Sequence, residues 1–171
     1  MKNKRYQIAK WILVGLAIIV NAYIILQSCL NANESTSQSG FVFNIIKTIL
    51  NAIHANTIND GNASWWHGFI RKLVGHFGLF MVDGLITSWA LYYLLEDIIV
   101  TKKWWKKIIV SAVFGLFVAS LTEIIQLVVP GRAGDIKDVL IDYSGYILGL
   151  GIIVLIYFLM YRHRLKKEES L

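Results

Sequence analysis

Four stretches of mostly apolar residues, at 8–30, 68–95, 108–129 and 139–161, constrain this chain more than anything else in it. A helix needs about 20 apolar residues to cross the roughly 30 Å hydrocarbon core of a bilayer, and each of the four is long enough. The composition agrees: 56% of residues are hydrophobic and mean hydropathy is +0.56, which places the chain among integral membrane proteins. The expected fold is all-α and polytopic, with four transmembrane helices in a single domain over 1–171. The first stretch follows a basic start, as in a signal peptide. It is too long for a signal-peptide core and no small-residue cleavage pattern follows it, so it reads as an uncleaved membrane helix. Cys29 is the single cysteine, which excludes an internal disulfide.

The segment 31–67 separates the first two spans. Residues 31–40 are small and polar and read as a loop. Residues 41–54 place Ile45, Ile46, Ile49, Leu50 and Ile53 on one stripe, the pattern of an extracytoplasmic amphipathic helix lying on the bilayer or on the bundle. Residues 56–62 then break that helix. The net charge of +6 is spread around the spans, with no interleaved basic and aromatic face, so nucleic acid is not an expected partner. Orientation follows from lysine and arginine. Lys2, Lys4, Arg5, Lys10, Lys102, Lys103, Lys106, Lys107, Arg162, Arg164, Lys166 and Lys167 flank one side. Lys47, Arg71, Lys72, Arg132 and Lys137 flank the other, twelve and five of the 17 in the chain. Both termini are therefore expected in the cytoplasm. Trp65 and Trp66 mark the outer interface, and Trp104 and Trp105 the inner one.

Polar residues inside such spans cost free energy, roughly 2.5–3.5 kcal/mol for a charge at a helix centre, and call for a reason. Lys72, His76, Leu79 and Asp83, at i, i+4, i+7 and i+11, fall on one helical face of the second span. Glu123 and Gln126 share a face of the third. Asp138 and Asp142 share a face of the fourth with Gly145 and Gly149. Pro130, the only proline, lies between the third and fourth spans, next to Arg132 and Asp135. Counted from the span ends, His76, Glu123 and Asp138 lie at similar depth, so they are expected to converge in one cavity opening outward. Gly84 with Ser88, Gly115 with Ala119, and Gly145 with Gly149 are small-residue steps that let helices approach closely in lipid.

A histidine beside a carboxylate acts as a general base or a nucleophile, and arginine and lysine hold phosphate. Asp135 and Asp138 could orient a lysine or arginine, or with Glu123 and His76 hold a divalent metal; no tight ligand spacing supports the metal, and no cofactor is expected. Plainer readings stand beside these. Glu123 and Gln126 also suit an interhelical hydrogen-bond tie, Arg132 and Asp135 a structural bridge, Asp138 a helix cap, and His76 a packed interfacial side chain.

At these positions the sequence resembles the VanZ-like family of small bacterial membrane proteins. One block is Arg71-Lys72-Leu-Val-Gly-His76-Phe77. The other runs from Glu123 and Gln126 through Pro130-Gly131-Arg132, Asp135, Asp138-Val139 and Asp142 to Gly145 and Gly149. Gln27, Ser35 and Ser39 echo a Gln/Ser-rich segment after the family's first helix. Asp142 stands where many members carry asparagine, and Phe80 where tyrosine is frequent. The resemblance implies a multi-pass protein of the bacterial cytoplasmic membrane with a role at the cell envelope, which is resistance to teicoplanin-type glycopeptide antibiotics in the founding member. It also implies a link to proposed lipid head-group enzymes. The expected partner is a membrane lipid or lipid-linked envelope precursor, or a glycopeptide antibiotic. As an enzyme, the chain would use His76, Glu123 and Asp138 catalytically and Lys72, Gln126, Arg132, Asp135 and Asp142 for binding. As a non-catalytic lipid- or antibiotic-binding module, it would use the same residues to hold its ligand. Transport is the weakest reading, because no internal repeat is present.

Overall fold

The computed structural model describes residues 4–53, 58–98 and 104–169, the second segment without side-chain detail beyond 95 and the last beyond 163. Lys2, Lys102, Lys103, His54, Asn56 and Thr57, which figure in the readings above, lie outside the described residues, as do the side chains of Arg164, Lys166 and Lys167. The described residues form helices only: α1 Lys4–Cys29, α2 Ala32–Ala52, α3 Ala63–Ile70, a π-helical stretch Arg71–Gly78, α4 Leu79–Ile98, α5 Trp104–Gln126 and α6 Ile136–Glu169. α3, the π stretch and α4 run on as one rod. Among the described residues four rods are long and apolar enough to span a membrane, namely Lys4–Ser28, Ala63–Leu95, Trp104–Gln126 and Ile136–His163. The protein is an all-α, multi-pass membrane protein. Helices are the form available here because lipid offers a backbone N–H or C=O no partner, and a helix satisfies these groups within itself.

α6 packs most extensively on α4. A Cβ added at Gly84 would strike the backbone carbonyl of Tyr146. One at Gly145 would strike that of Phe77, and one at Gly149 that of Met81. The two helices therefore touch backbone to backbone. Tyr146 is fully buried and lays its ring over Gly115 of α5. Its hydroxyl lies 3.1 Å from Ser111 Oγ, which donates in turn to Ser88 Oγ at 2.7 Å. This short polar chain joins α4, α5 and α6 inside an otherwise apolar core. α1 is tied to α4 by Asn21, whose side-chain amide donates to Asp83 Oδ1 and Thr87 Oγ1, both at 2.9 Å.

The polar segment expected as a loop, 31–40, is instead the first half of α2. Asn31 and Glu34 form a reciprocal cap: the Asn31 side chain accepts from the Glu34 N–H, and the Glu34 carboxylate accepts from the Asn31 N–H, each at 3.0 Å. Two of the unpaired donors at the helix start are satisfied this way, and the polar residues that follow continue the helix. No α2 residue is buried, and Phe41, Ile45, Ile49 and Ile53 are exposed. The helix lies against α3 outside the four-rod bundle.

Between α5 and α6 the chain turns at Pro130, which lacks the N–H needed to extend α5. Gly131 follows at φ 74°, a left-handed conformation that glycine adopts at little cost. Asp135 then opens α6. Its carbonyl accepts from the Asp138 N–H at 2.9 Å and its carboxylate from the Lys137 N–H at 2.9 Å.

Candidate functional site

The turn between α5 and α6 lies beside the π stretch, and α1 and α2 close the remaining sides around a cavity of about 260 Å³. A π turn takes in an extra residue and often marks a functional position. Here it presents Arg71, Gly75 and His76 together to the cavity. His76 is 12% exposed, and its Nδ1 lies 3.0 Å from Oδ1 of Asp142, which is 1% exposed on α6. A buried carboxylate there favours the tautomer in which Nδ1–H donates, leaving the Nε2 lone pair. Nε2 has no protein partner among the described residues.

Glu123, near the end of α5, is held at both oxygens. Oε1 accepts from the Gln126 amide at 3.1 Å and Oε2 from the Asp135 N–H at 2.9 Å. It therefore fastens the α5–α6 turn and is itself fixed in place. Lys72 Nζ forms a 2.5 Å ion pair with Asp138 Oδ1, joining the π stretch to the first turn of α6. Arg132 lines the cavity, and its Nη1 donates to the Leu30 carbonyl at 3.5 Å. Burial, and then the charge of Arg71, hold the pKa of Arg132 below its ordinary value, while Glu123 and Asp138 pull the other way. Two guanidinium-bearing residues, Arg71 and Arg132, thus line one cavity, an arrangement that suits an anion.

The structure brings His76, Glu123, Gln126, Arg132, Asp138, Asp142 and Lys72 to this one end of the bundle. His76, Glu123 and Asp138 each offer one ligand-type atom within 4.8 Å of the others. A nitrogen and two carboxylate oxygens are a donor set that suits a divalent cation. Chain spacing gave no hint of this, because the three donors come from three separate rods. At the same place the Lys72 ammonium already balances Asp138. Of the expected set, His76, Gln126, Arg132 and Asp142 line the cavity, whereas Lys72, Glu123 and Asp138 do not, and the Asp135 carboxylate turns onto the α6 backbone and pairs with no basic side chain among the described residues.

The model of the VanZ/LLP1 family matches residues 13–158. The chain belongs to the VanZ/LLP1 family. No curated protein and no solved structure matches it. The two VanZ-like blocks read from the sequence fold against each other. The Arg71–Phe77 block supplies the π-stretch wall, and the block from Glu123 to Gly149 supplies the turn, the start of α6 and the glycines that seat α6 on α4.

Asp83 lies on the same rod as His76. It lies past the π stretch, whose extra residue shifts the register that a regular helix would keep. Its carboxylate is fully buried against α1, where Oδ1 accepts from Asn21 and Thr87. Several cavity residues escaped the sequence reading. Arg71 was passed over as a flank of the conspicuous Lys72 and His76. Ser28 and Gln38 also line the cavity. The spacing of Ser35, Gln38 and Ser39 would have exposed a polar helix face, had 31–40 been read as helical from its Asn31–Glu34 cap.

Proposed function

We propose that this VanZ/LLP1 member acts on a lipid-linked phosphate head group at the outer leaflet of the cytoplasmic membrane. One observation carries the reading: His76, aligned by the buried Asp142, shares a cavity with Arg71 and Arg132. The imidazole Nε2 takes the proton from an attacking hydroxyl as the new O–P bond forms, and returns it to the departing head-group oxygen as the old O–P bond breaks. Arg71 and Arg132 neutralise the phosphate oxygens as charge builds. Lys72 adds to that field while holding Asp138. Glu123, with both oxygens occupied, suits an orienting carboxylate better than a proton donor. Gln126 extends the polar wall.

The basic flanks, twelve residues against five, support cytoplasmic termini and an outward cavity. On this reading resistance to teicoplanin-type drugs follows from an altered envelope lipid. The cavity, at about 260 Å³, is below the roughly 300–1,000 Å³ of ordinary drug sites, which suits a lipid head group better than a glycopeptide core. A second reading, a non-catalytic lipid module, is favoured by the closed Lys72–Asp138 pair, which leaves Asp138 engaged before any ligand arrives.

The test is mass spectrometry of co-purified lipids for wild type, His76→Ala and Glu123→Gln, followed by incubation with the lipids found. A head-group change made by wild type and lost in folded His76→Ala supports the enzyme. Bound lipid with no turnover in any sample supports the binding module. Loss of folded protein in both variants returns the cluster to a structural tie.

A further inference from the structure

The cavity has two chemically different walls. The π stretch and the α5–α6 turn bring Arg71, His76 and Arg132. The facing wall, from α1 and α2, brings Gln27, Ser35, Gln38 and Ser39. These are neutral groups able to donate and accept. Ser39 is occupied, with Oγ donating to the Thr36 carbonyl and lying 3.1 Å from His67 Nε2. The side chains of Gln27, Ser35 and Gln38 have no hydrogen-bond partner among the described residues. Three unused polar side chains beside two arginines suit a ligand that is anionic at one end and hydroxylated at the other. An alkylammonium head would meet the field of Arg71 and Arg132. Among the described residues Asp142 is the one carboxylate lining the cavity, and it is 1% exposed and engaged by His76; Glu123 and Asp138, beside His76, are engaged by Gln126, the Asp135 N–H and Lys72. The volume, about 260 Å³, equals roughly nine waters at about 30 Å³ each, enough for a phosphate and a glycerol- to monosaccharide-sized group.

We infer that the site selects a lipid whose phosphate carries a small uncharged polyol, read by Gln27, Ser35 and Gln38, and rejects amine head groups. This rests on the phosphate-lipid reading above and narrows it. The shared chemistry is a polyol phosphate ester, and the open apolar flank of α2 favours its lipid-borne form.

The test uses full-length protein in nanodiscs and native mass spectrometry with four lipids of identical acyl chains: phosphatidylglycerol, phosphatidic acid, phosphatidylethanolamine and phosphatidylcholine. Wild type is expected to bind phosphatidylglycerol at least tenfold more tightly than the two amine lipids, and about threefold or more over phosphatidic acid. Gln27→Leu with Gln38→Leu is expected to erase the preference over phosphatidic acid while keeping that over the amine lipids. Arg71→Gln is expected to weaken both anionic lipids alike. Gln38→Glu, a near-isosteric change on an exposed helix, is expected to raise amine-lipid binding. Equal binding of phosphatidylethanolamine and phosphatidylglycerol by wild type overturns the inference, as does a polyol preference untouched by the glutamine variants. Competition by soluble glycerol phosphate as strong as that by the lipid overturns its lipid-borne part. If none of the four lipids binds, the phosphate-lipid reading itself fails. If the anionic ones bind without polyol preference, only this inference does.

Discussion

At the scale of single residues, the proposed chemistry rests on the His76–Asp142 pair. On the proposed chemistry, His76→Gln keeps a polar side chain of similar size but supplies no base, so turnover of whichever lipid co-purification identifies is expected to fall about 10²–10⁴-fold with an unchanged elution profile. Glu123 has a different kind of importance. Removing its carboxylate in Glu123→Ala leaves the buried Gln126 amide and the Asp135 N–H without an acceptor, at a cost of roughly 1–3 kcal/mol each. Glu123→Gln keeps an acceptor and is expected to lose less than half as much, which thermal unfolding in detergent distinguishes. The sequence showed which residue types gather at this end of the bundle, because depth along a helix can be counted from a turn. It did not show the pairs. His76 meets Asp142, and Lys72 meets Asp138, across 66 positions of chain. The regular helical period assumed in setting Asp83 on the face of His76 is interrupted by the π stretch Arg71–Gly78.

At the scale of elements, the α4–α6 contact and the α2 cap carry separate predictions. Gly145→Ala and Gly149→Ala each drive a methyl into facing backbone that has no flexible tip to move aside, so each is expected to cost about 1–3 kcal/mol and to lower the unfolding midpoint. Gly15→Ala, where nothing lies within 4 Å, serves as the neutral control. Asn31→Ala removes the reciprocal cap at a cost of about 1 kcal/mol. Because no α2 residue is buried, that loss is expected to appear as roughly fivefold faster amide exchange confined to α2, without a change in global unfolding. The glycine steps were legible as places of close approach, but spacing alone does not name the facing helix. The first half of α2 was misread because small polar residues usually signal a loop. The Asn31-x-x-Glu34 cap, a local signal of equal standing, pointed to a helix start.

At the scale of the whole molecule, the bilayer made the architecture legible: its thickness sets span length, and each of the four spans is long enough on its own. Orientation is testable with the protein's single cysteine. Cys29 is exposed at the end of α1 that meets the α5–α6 turn. A membrane-impermeant maleimide is expected to label it in intact cells, whereas a Cys29→Ser, Lys167→Cys variant is expected to label only after permeabilisation. The opposite pattern would place the cavity at the inner leaflet. The backbone contact of α6 on α4 bears on biogenesis as well. α5 is synthesised between the two, so during translation the rod bearing His76 and then Glu123 enters the membrane before Asp138, Asp142, Gly145 and Gly149 exist. A nascent chain halted after α5 therefore holds a half-built site, and α6, made after it, both closes the bundle and brings Asp138 and Asp142 to Lys72 and His76.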